Sequence, residues 1–176
     1  MAERWLDITD IPAEGREFVF DDQELWAEGM REFHMEYAPA SPLTATFTVM
    51  PQERGAMVRG GLTGAVTAPC DRCTREVRVT VDQKFDLFEE EPLPGEDTLE
   101  PTLLRRRGHR RELDVGGLLW EEFVLALPVK PLCLEDCKGL CPDCGQDLNA
   151  GTCECGKAEL DPRMAALRGL TIVKKD

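Results

Sequence analysis

The run Glu76-Val77-Arg78-Val79-Thr80-Val81-Asp82-Gln83-Lys84-Phe85-Asp86-Leu87-Phe88 decides the fold. Val77, Val79, Val81, Phe85 and Leu87 share one parity, while Arg78, Thr80, Asp82, Lys84 and Asp86 take the other. Successive side chains on a strand point to opposite faces, so this alternation buries one face and wets the other. It predicts a half-buried strand. Upstream, residues 43–50 and 56–68 are rich in Thr and Val and flank Pro51-Gln52-Glu53-Arg54-Gly55, a turn composition, which predicts a hairpin. Three such strands imply an antiparallel sheet with one solvated face. Residues 37–42, with Pro39 and Pro42, read as a connector. Before it, Trp26, Met30 and Phe33 recur at helical spacing behind Asp22, whose carboxylate can cap the first turn. Leu6, Ile8, Phe18 and Phe20 are apolar pairs that declare no period.

Downstream of the strand, residues 89–101 hold six acidic side chains and three prolines, the composition of a linker or long excursion. Arg105, Arg106, Arg107, Arg110 and Arg111 follow, opposite in sign. They read first as a solvated loop that partly neutralises the acidic stretch, with contact to RNA phosphate as the alternative. Asp114 can cap a helix reaching about Leu127, with Trp120, Phe123, Val124 and Leu127 on its buried stripe, Glu121 and Glu122 facing away, and Gly116-Gly117 weakening its start. Asp161-Pro162 and Gly169 bracket a short terminal helix. The expected class is therefore α+β: an antiparallel sheet with flanking helices over residues 1–128, and a cysteine-rich module over 129–176.

The chain has 176 residues and a formal net charge of −13, from 21 Lys and Arg against 34 Asp and Glu. That field repels a polyphosphate from most directions and suits a basic partner, leaving RNA contact to a local cationic patch. No apolar run is long enough to span a membrane, and the amino terminus shows no basic segment leading into an apolar one, so a cytoplasmic protein is expected. His34 and His109 sit in no catalytic motif, and neither a phosphate-cradling glycine loop nor a nucleophile elbow is present. The chain is expected not to be an enzyme and to take no small-molecule substrate.

Eight cysteines are many for a reducing compartment, which would not keep them as structural disulfides. Eight is also twice the ligand count of a closed tetrahedral zinc site. Cys70-Asp71-Arg72-Cys73 places two thiols on a turn between strands. Cys141-Pro142-Asp143-Cys144-Gly145 has the make-up of a zinc knuckle, because glycine after the second cysteine lets the backbone turn and bring amides toward sulfur. Cys153 and Cys155 complete that group, which leaves Cys133 and Cys137 to join Cys70 and Cys73. Two structural zinc ions per chain are expected, and the segment's sparse apolar content makes the metal a folding requirement. Open alternatives are buried cysteines without metal, a cluster with bridging thiolates, and a thiol redox enzyme or sensor using Cys70 and Cys73. The redox reading has against it that a strand pattern, not a helix, follows Cys73.

Taken together, Cys70-Asp71-Arg72-Cys73, Leu113-Asp114-Val115, Glu121-Glu122, Ala126-Leu127-Pro128, Pro131-Leu132-Cys133, the run from Cys137 to Gly145, Asn149 and Asp161-Pro162-Arg163 resemble the YceD family of bacterial large ribosomal RNA subunit accumulation proteins. The resemblance implies a cytoplasmic, non-enzymatic factor needed for normal accumulation of large-subunit ribosomal RNA. Its partner would be precursor ribosomal RNA, a basic ribosomal protein, or both. The arginine run is not part of the resemblance.

Overall fold

The computed structural model describes residues 4–92 and 102–155. The expected helix at 161–169 and the later part of the acidic excursion lie outside the described residues. Among the described residues seven strands and two helices run in the order β1 (Trp5–Asp7), β2 (Arg16–Phe20), α1 (Gln23–Glu32), β3 (Ala38–Gln52), β4 (Gly55–Pro69), β5 (Glu76–Glu90), β6 (Leu104–Arg107), β7 (Arg110–Asp114) and α2 (Val115–Ala126). They form two antiparallel sheets, one ordered β2-β3-β4-β5 and one ordered β1-β7-β6. The α+β class stands, with one strand more in the large sheet than the sequence announced and a second sheet it did not announce.

The long strands follow from their patterning. In β5 Val81 and Phe85 are buried and the opposite parity is exposed, and its register against β4 is continuous from Pro69↔Glu76 to Gly55↔Glu90. The expected connector at 37–42 is instead the start of β3. Its register against β4 shifts between Pro39 and Ser41 and again between Ser41 and Thr44. Proline has no N–H to give to a ladder, so the first part of β3, where Pro39 and Pro42 lie, pairs through irregularities rather than evenly.

Asp22 caps α1, its side chain accepting the Glu24 N–H at 3.1 Å, and Leu25, Trp26 and Met30 enter the core. Phe33, placed by the sequence at helical spacing with Trp26 and Met30, is the C-cap just beyond the helix end, largely exposed and stacked on Trp120 with ring centroids 5.5 Å apart. Asp114 caps α2 by accepting the Gly116 and Gly117 N–H groups at 3.1 Å each. The helix begins at Val115 ahead of both glycines, and a Cβ on Gly117 would come within 2.7 Å of Leu103, so close packing uses its small size. Two expectations for α2 are corrected. Glu122 is only 4% exposed and accepts a hydrogen bond from Gln83 Nε2 at 2.9 Å, whereas Val124 is exposed. The helix is wedged between α1 and β5, so more than one stripe is buried and the polar side chain that faces β5 needs a partner there.

The arginine run is a hairpin, not a loop. It turns at Gly108, and Arg106↔Arg111 and Arg107↔Arg110 are cross-strand neighbours. Like charges directly opposite each other destabilise a ladder. Here carboxylates offset them: Glu91 accepts from Nε of both Arg106 and Arg111, Glu112 pairs with Arg105, and Asp7 lies within ion-pair reach of Arg110. Arg106, and after it Arg111, hold the Glu91 carboxyl below the usual carboxylate range. Arg105 also stacks over the Trp5 ring, and Arg111 donates to the Gly55 carbonyl at 2.6 Å, tying the hairpin to the end of the large sheet.

Candidate metal centres

At the end of the large sheet opposite Gly55, the β4–β5 connection is the turn Cys70–Cys73. The Cys70 N–H donates to the Arg75 carbonyl at 2.8 Å, and the Thr74 N–H donates to the Cys70 carbonyl at 2.9 Å. The same two bonds recur around the second C-x-x-C: Cys141 N–H to the Gln146 carbonyl at 2.8 Å, and Gly145 N–H to the Cys141 carbonyl at 2.9 Å. Both turns place the residue after the second cysteine in the left-handed region, Gly145 at φ 73° and Thr74 at φ 58°. The glycine announces its turn; the threonine does not, and its hydroxyl donates to the Cys73 carbonyl at 2.7 Å.

The segment carrying Cys133 and Cys137 is laid against the first turn by backbone contacts. Asp71 N–H donates to the Pro131 carbonyl at 2.9 Å, Leu140 N–H to the Arg72 carbonyl at 3.1 Å, and Arg72 Nη1 to the Cys137 carbonyl at 2.7 Å. Gly139 has φ 76°, and a Cβ there would lie 2.9 Å from the Arg72 carbonyl oxygen. Glycine is what lets the two segments approach.

The thiols gather as Cys70, Cys73, Cys133 and Cys137 in one group and Cys141, Cys144, Cys153 and Cys155 in the other, with all sulfurs of a group within 4.8 Å of one another. All eight are free thiols. Four sulfurs at tetrahedral corners around zinc, each at about 2.3 Å from it, stand roughly 3.8 Å apart. Cys70 and Cys137 sulfurs are 3.9 Å apart and those of Cys73 and Cys133 3.5 Å, far beyond a disulfide bond and close to that tetrahedron. The residues fit a four-thiolate metal site.

Electrostatics point the same way. At Cys70 burial raises the thiol, yet the Cys133, Arg72 and Cys73 N–H groups outweigh it and bring the pKa down to about 6. Cys133, which shares its hydrogen with Cys73 and is also desolvated, is pushed up to about 12. In the second group the Cys144 and Asp143 N–H groups lower Cys141 to about 7, while Cys155 beside Cys144 rises to about 12. Crowded thiols thus ionise only in part by themselves, and a bound dication is what would favour four thiolates together. Four protein ligands would leave no open position for a catalytic water.

Among the described residues the tetrads use all eight expected cysteines. The structure does not gather the five arginines into a common cationic face free of carboxylates: four pair as described above, and Arg107 has no such ion pair among the described residues. Sequence reasoning missed Asn149 as a neighbour of the sulfurs; its Nδ2 donates to Cys137 Sγ at 3.4 Å. No helix among the described residues is long and apolar enough to cross a membrane.

Comparison with known proteins adds to this geometry. A chloroplastic protein of Arabidopsis thaliana named Large ribosomal RNA subunit accumulation protein YCED homolog 1 is 21% identical over 161 residues, which is 77% of this chain and 50% of that protein. Uncharacterized proteins of Mycobacterium tuberculosis and Mycobacterium bovis are each 31% identical over 116 residues, 64% of this chain and 54% of theirs. The chain spans about half the length of these curated relatives. No solved structure matches it. The family model described as Large ribosomal RNA subunit accumulation protein YceD matches residues 58–171, a span that starts in β4 and runs through both cysteine tetrads, and the chain belongs to that family.

Proposed function

We propose that the protein is a non-enzymatic factor that supports accumulation of large-subunit ribosomal RNA, with one structural zinc ion in each tetrad, acting in the cytoplasm. The observation that carries this reading is the family match through both four-thiol groups. Zinc suits the donor set: four soft thiolates in a closed tetrahedral arrangement are characteristic of structural zinc. When bound, the ions would supply the folding free energy that residues 131–155, with few buried apolar side chains, lack.

The chemistry of the surface favours a basic ribosomal protein as the direct partner. The chain is at −13, and four of the five clustered arginines already face carboxylates of its own. Precursor ribosomal RNA is the other candidate, and the hairpin is where its phosphates would meet cationic charge. Replacing Arg105, Arg106, Arg107, Arg110 and Arg111 by alanine tests the hairpin's part: an unchanged RNA association with an unchanged salt slope removes the hairpin as an RNA contact.

A thiol redox role would need Cys70 and Cys73 within reach of a substrate. They are 1% and 6% exposed, and the chain enters β5 after them rather than a helix whose N-terminus could activate a thiol. The deciding experiment is complementation. In cells lacking the protein, the wild-type chain is expected to restore the ratio of large- to small-subunit ribosomal RNA, and a variant with Cys70→Ser and Cys73→Ser is expected not to. Failure of the wild-type chain to move that ratio would overturn the reading.

A further inference from the structure

Asn149 belongs to one tetrad by sequence and serves the other by contact. It lies on the loop between Cys144 and Cys153, both in the second group, while its Nδ2 donates to Cys137 Sγ of the first at 3.4 Å. Its Oδ1 accepts the Lys138 N–H at 2.8 Å, next to that same cysteine. Asp147, on the same loop, accepts from Asn149 Nδ2 at 2.8 Å and from the Asn149 N–H at 2.9 Å, and so fixes the amide. The other Asp147 oxygen takes Arg75 Nη2 at 3.0 Å, and the Arg75 carbonyl is the one that closes the Cys70 turn. Backbone bonds complete the clamp, with Leu148 N–H donating to the Gly139 carbonyl at 2.9 Å and Leu140 paired with Asp147.

We propose that Asn149 is a positioning residue that couples the two metal sites, so that filling either tetrad strengthens binding at the other. The inference rests on the two-zinc reading above. An ion held by Cys144 and Cys153 pins both ends of the loop between them and removes freedom that Asn149 would otherwise lose when it docks. The docked amide then hydrogen-bonds a thiolate ligand of the first site, and such outer contacts govern ligand orientation and affinity. Linkage makes the effect reciprocal.

The test uses the full chain, stripped of metal under reducing conditions and titrated with Zn2+ against a chromogenic chelator, and with Co2+ to follow sulfur-to-cobalt absorption. Loss of the second tetrad through Cys144→Ser with Cys155→Ser is expected to weaken zinc binding at the first by about ten- to hundredfold. Asn149→Ala and Asn149→Asp, which both remove the donor, are expected to weaken it comparably, and combining either with the tetrad loss adds little. Either Asn149 change should also shift the first site's sulfur-to-cobalt band to lower energy, because a thiolate without its hydrogen bond donates electrons more easily. A merely structural lesion would remove the band rather than move it. The reciprocal measurement leaves Asn149 intact: Cys70→Ser with Cys73→Ser should weaken the second site by the same factor. First-site affinity within twofold of wild type in the second-tetrad variant overturns the coupling. A wild-type chain that binds no zinc overturns the two-zinc reading and the coupling with it, whereas two zinc ions bound with independent affinities overturn the coupling alone.

Discussion

The two cysteine tetrads share a turn and differ in what surrounds it. In the first, Cys70, Cys73 and Cys137 are buried with Val77 and Leu132 packed against them, and Cys73 and Cys133 come from positions 60 residues apart. In the second, every cysteine lies within residues 141–155, and Cys144 and Cys155 are exposed. One joins distant parts of the chain at the end of a long sheet, and the other closes a local loop. A clip across a long loop removes more freedom from the open chain than one across a short loop, and a buried site loses packing as well as its sulfur contacts when it opens. Identical local geometry should therefore have unequal consequences.

The largest effect should follow from breaking the first tetrad. With Cys70→Ser and Cys73→Ser, residues 131–149 lose their attachment to the β4–β5 turn. A cost of about 3 kcal/mol at roughly 2–4 °C per kcal/mol for a chain of this size lowers the thermal midpoint by about 10 °C. Calorimetry on zinc-loaded protein checks it. The comparison is broken if that midpoint moves no more than it does for a second-tetrad variant. Cys144→Ser with Cys155→Ser is the intermediate case: one zinc per chain is lost, amide exchange quickens over residues 141–155, and protection in β3, β4 and β5 stays as in the wild type. Exchange mass spectrometry with elemental analysis reads both, and faster exchange in the large sheet would show that the second tetrad is no local clasp.

Elements that write their own pattern were legible in the sequence. β5 shows period two over a dozen residues, Asp22 and Asp114 announce the caps of α1 and α2, and the paired spacing of the cysteines suggests the grouping in which the thiols are found. What escaped depends on partners far away in the chain. β1 is three residues long and exists because β7 lies beside it, with Trp5 opposite Asp114. The arginine run looks like a loop until Glu91, Glu112 and Asp7 are placed against it, since charge repulsion across a hairpin is decided by neighbours that no local window contains. Glu122 resembles a solvated residue until Gln83 is known to face it. Asn149 entered the sequence reading only among the residues that carry the family resemblance, and its contact with Cys137 follows from the clamp between two loops.

The smallest effects test the turn itself, at the left-handed position where one knuckle has threonine and the other glycine. Thr74 and Gly145 are both left-handed, which costs a residue with a Cβ roughly 1–2 kcal/mol and costs glycine nothing sterically, although glycine gives back about 0.5–1 kcal/mol through its freer unfolded chain. At Gly145 no atom lies within 4 Å of an added Cβ, so Gly145→Thr meets only this conformational cost. The net of about 1 kcal/mol corresponds to roughly a fivefold weaker zinc at the second site. Thr74→Gly runs the other way: the strain is relieved, but the hydroxyl bond to the Cys73 carbonyl is lost. It should strengthen the first site by no more than about twofold, since a local, solvent-reachable hydrogen bond is worth about as much as the remaining gain. Chelator competition resolves both. Equal and opposite changes would mean that the Thr74 hydroxyl contributes nothing, and a loss of zinc on Thr74→Gly would mean that this hydroxyl, rather than the backbone conformation, holds the first knuckle closed.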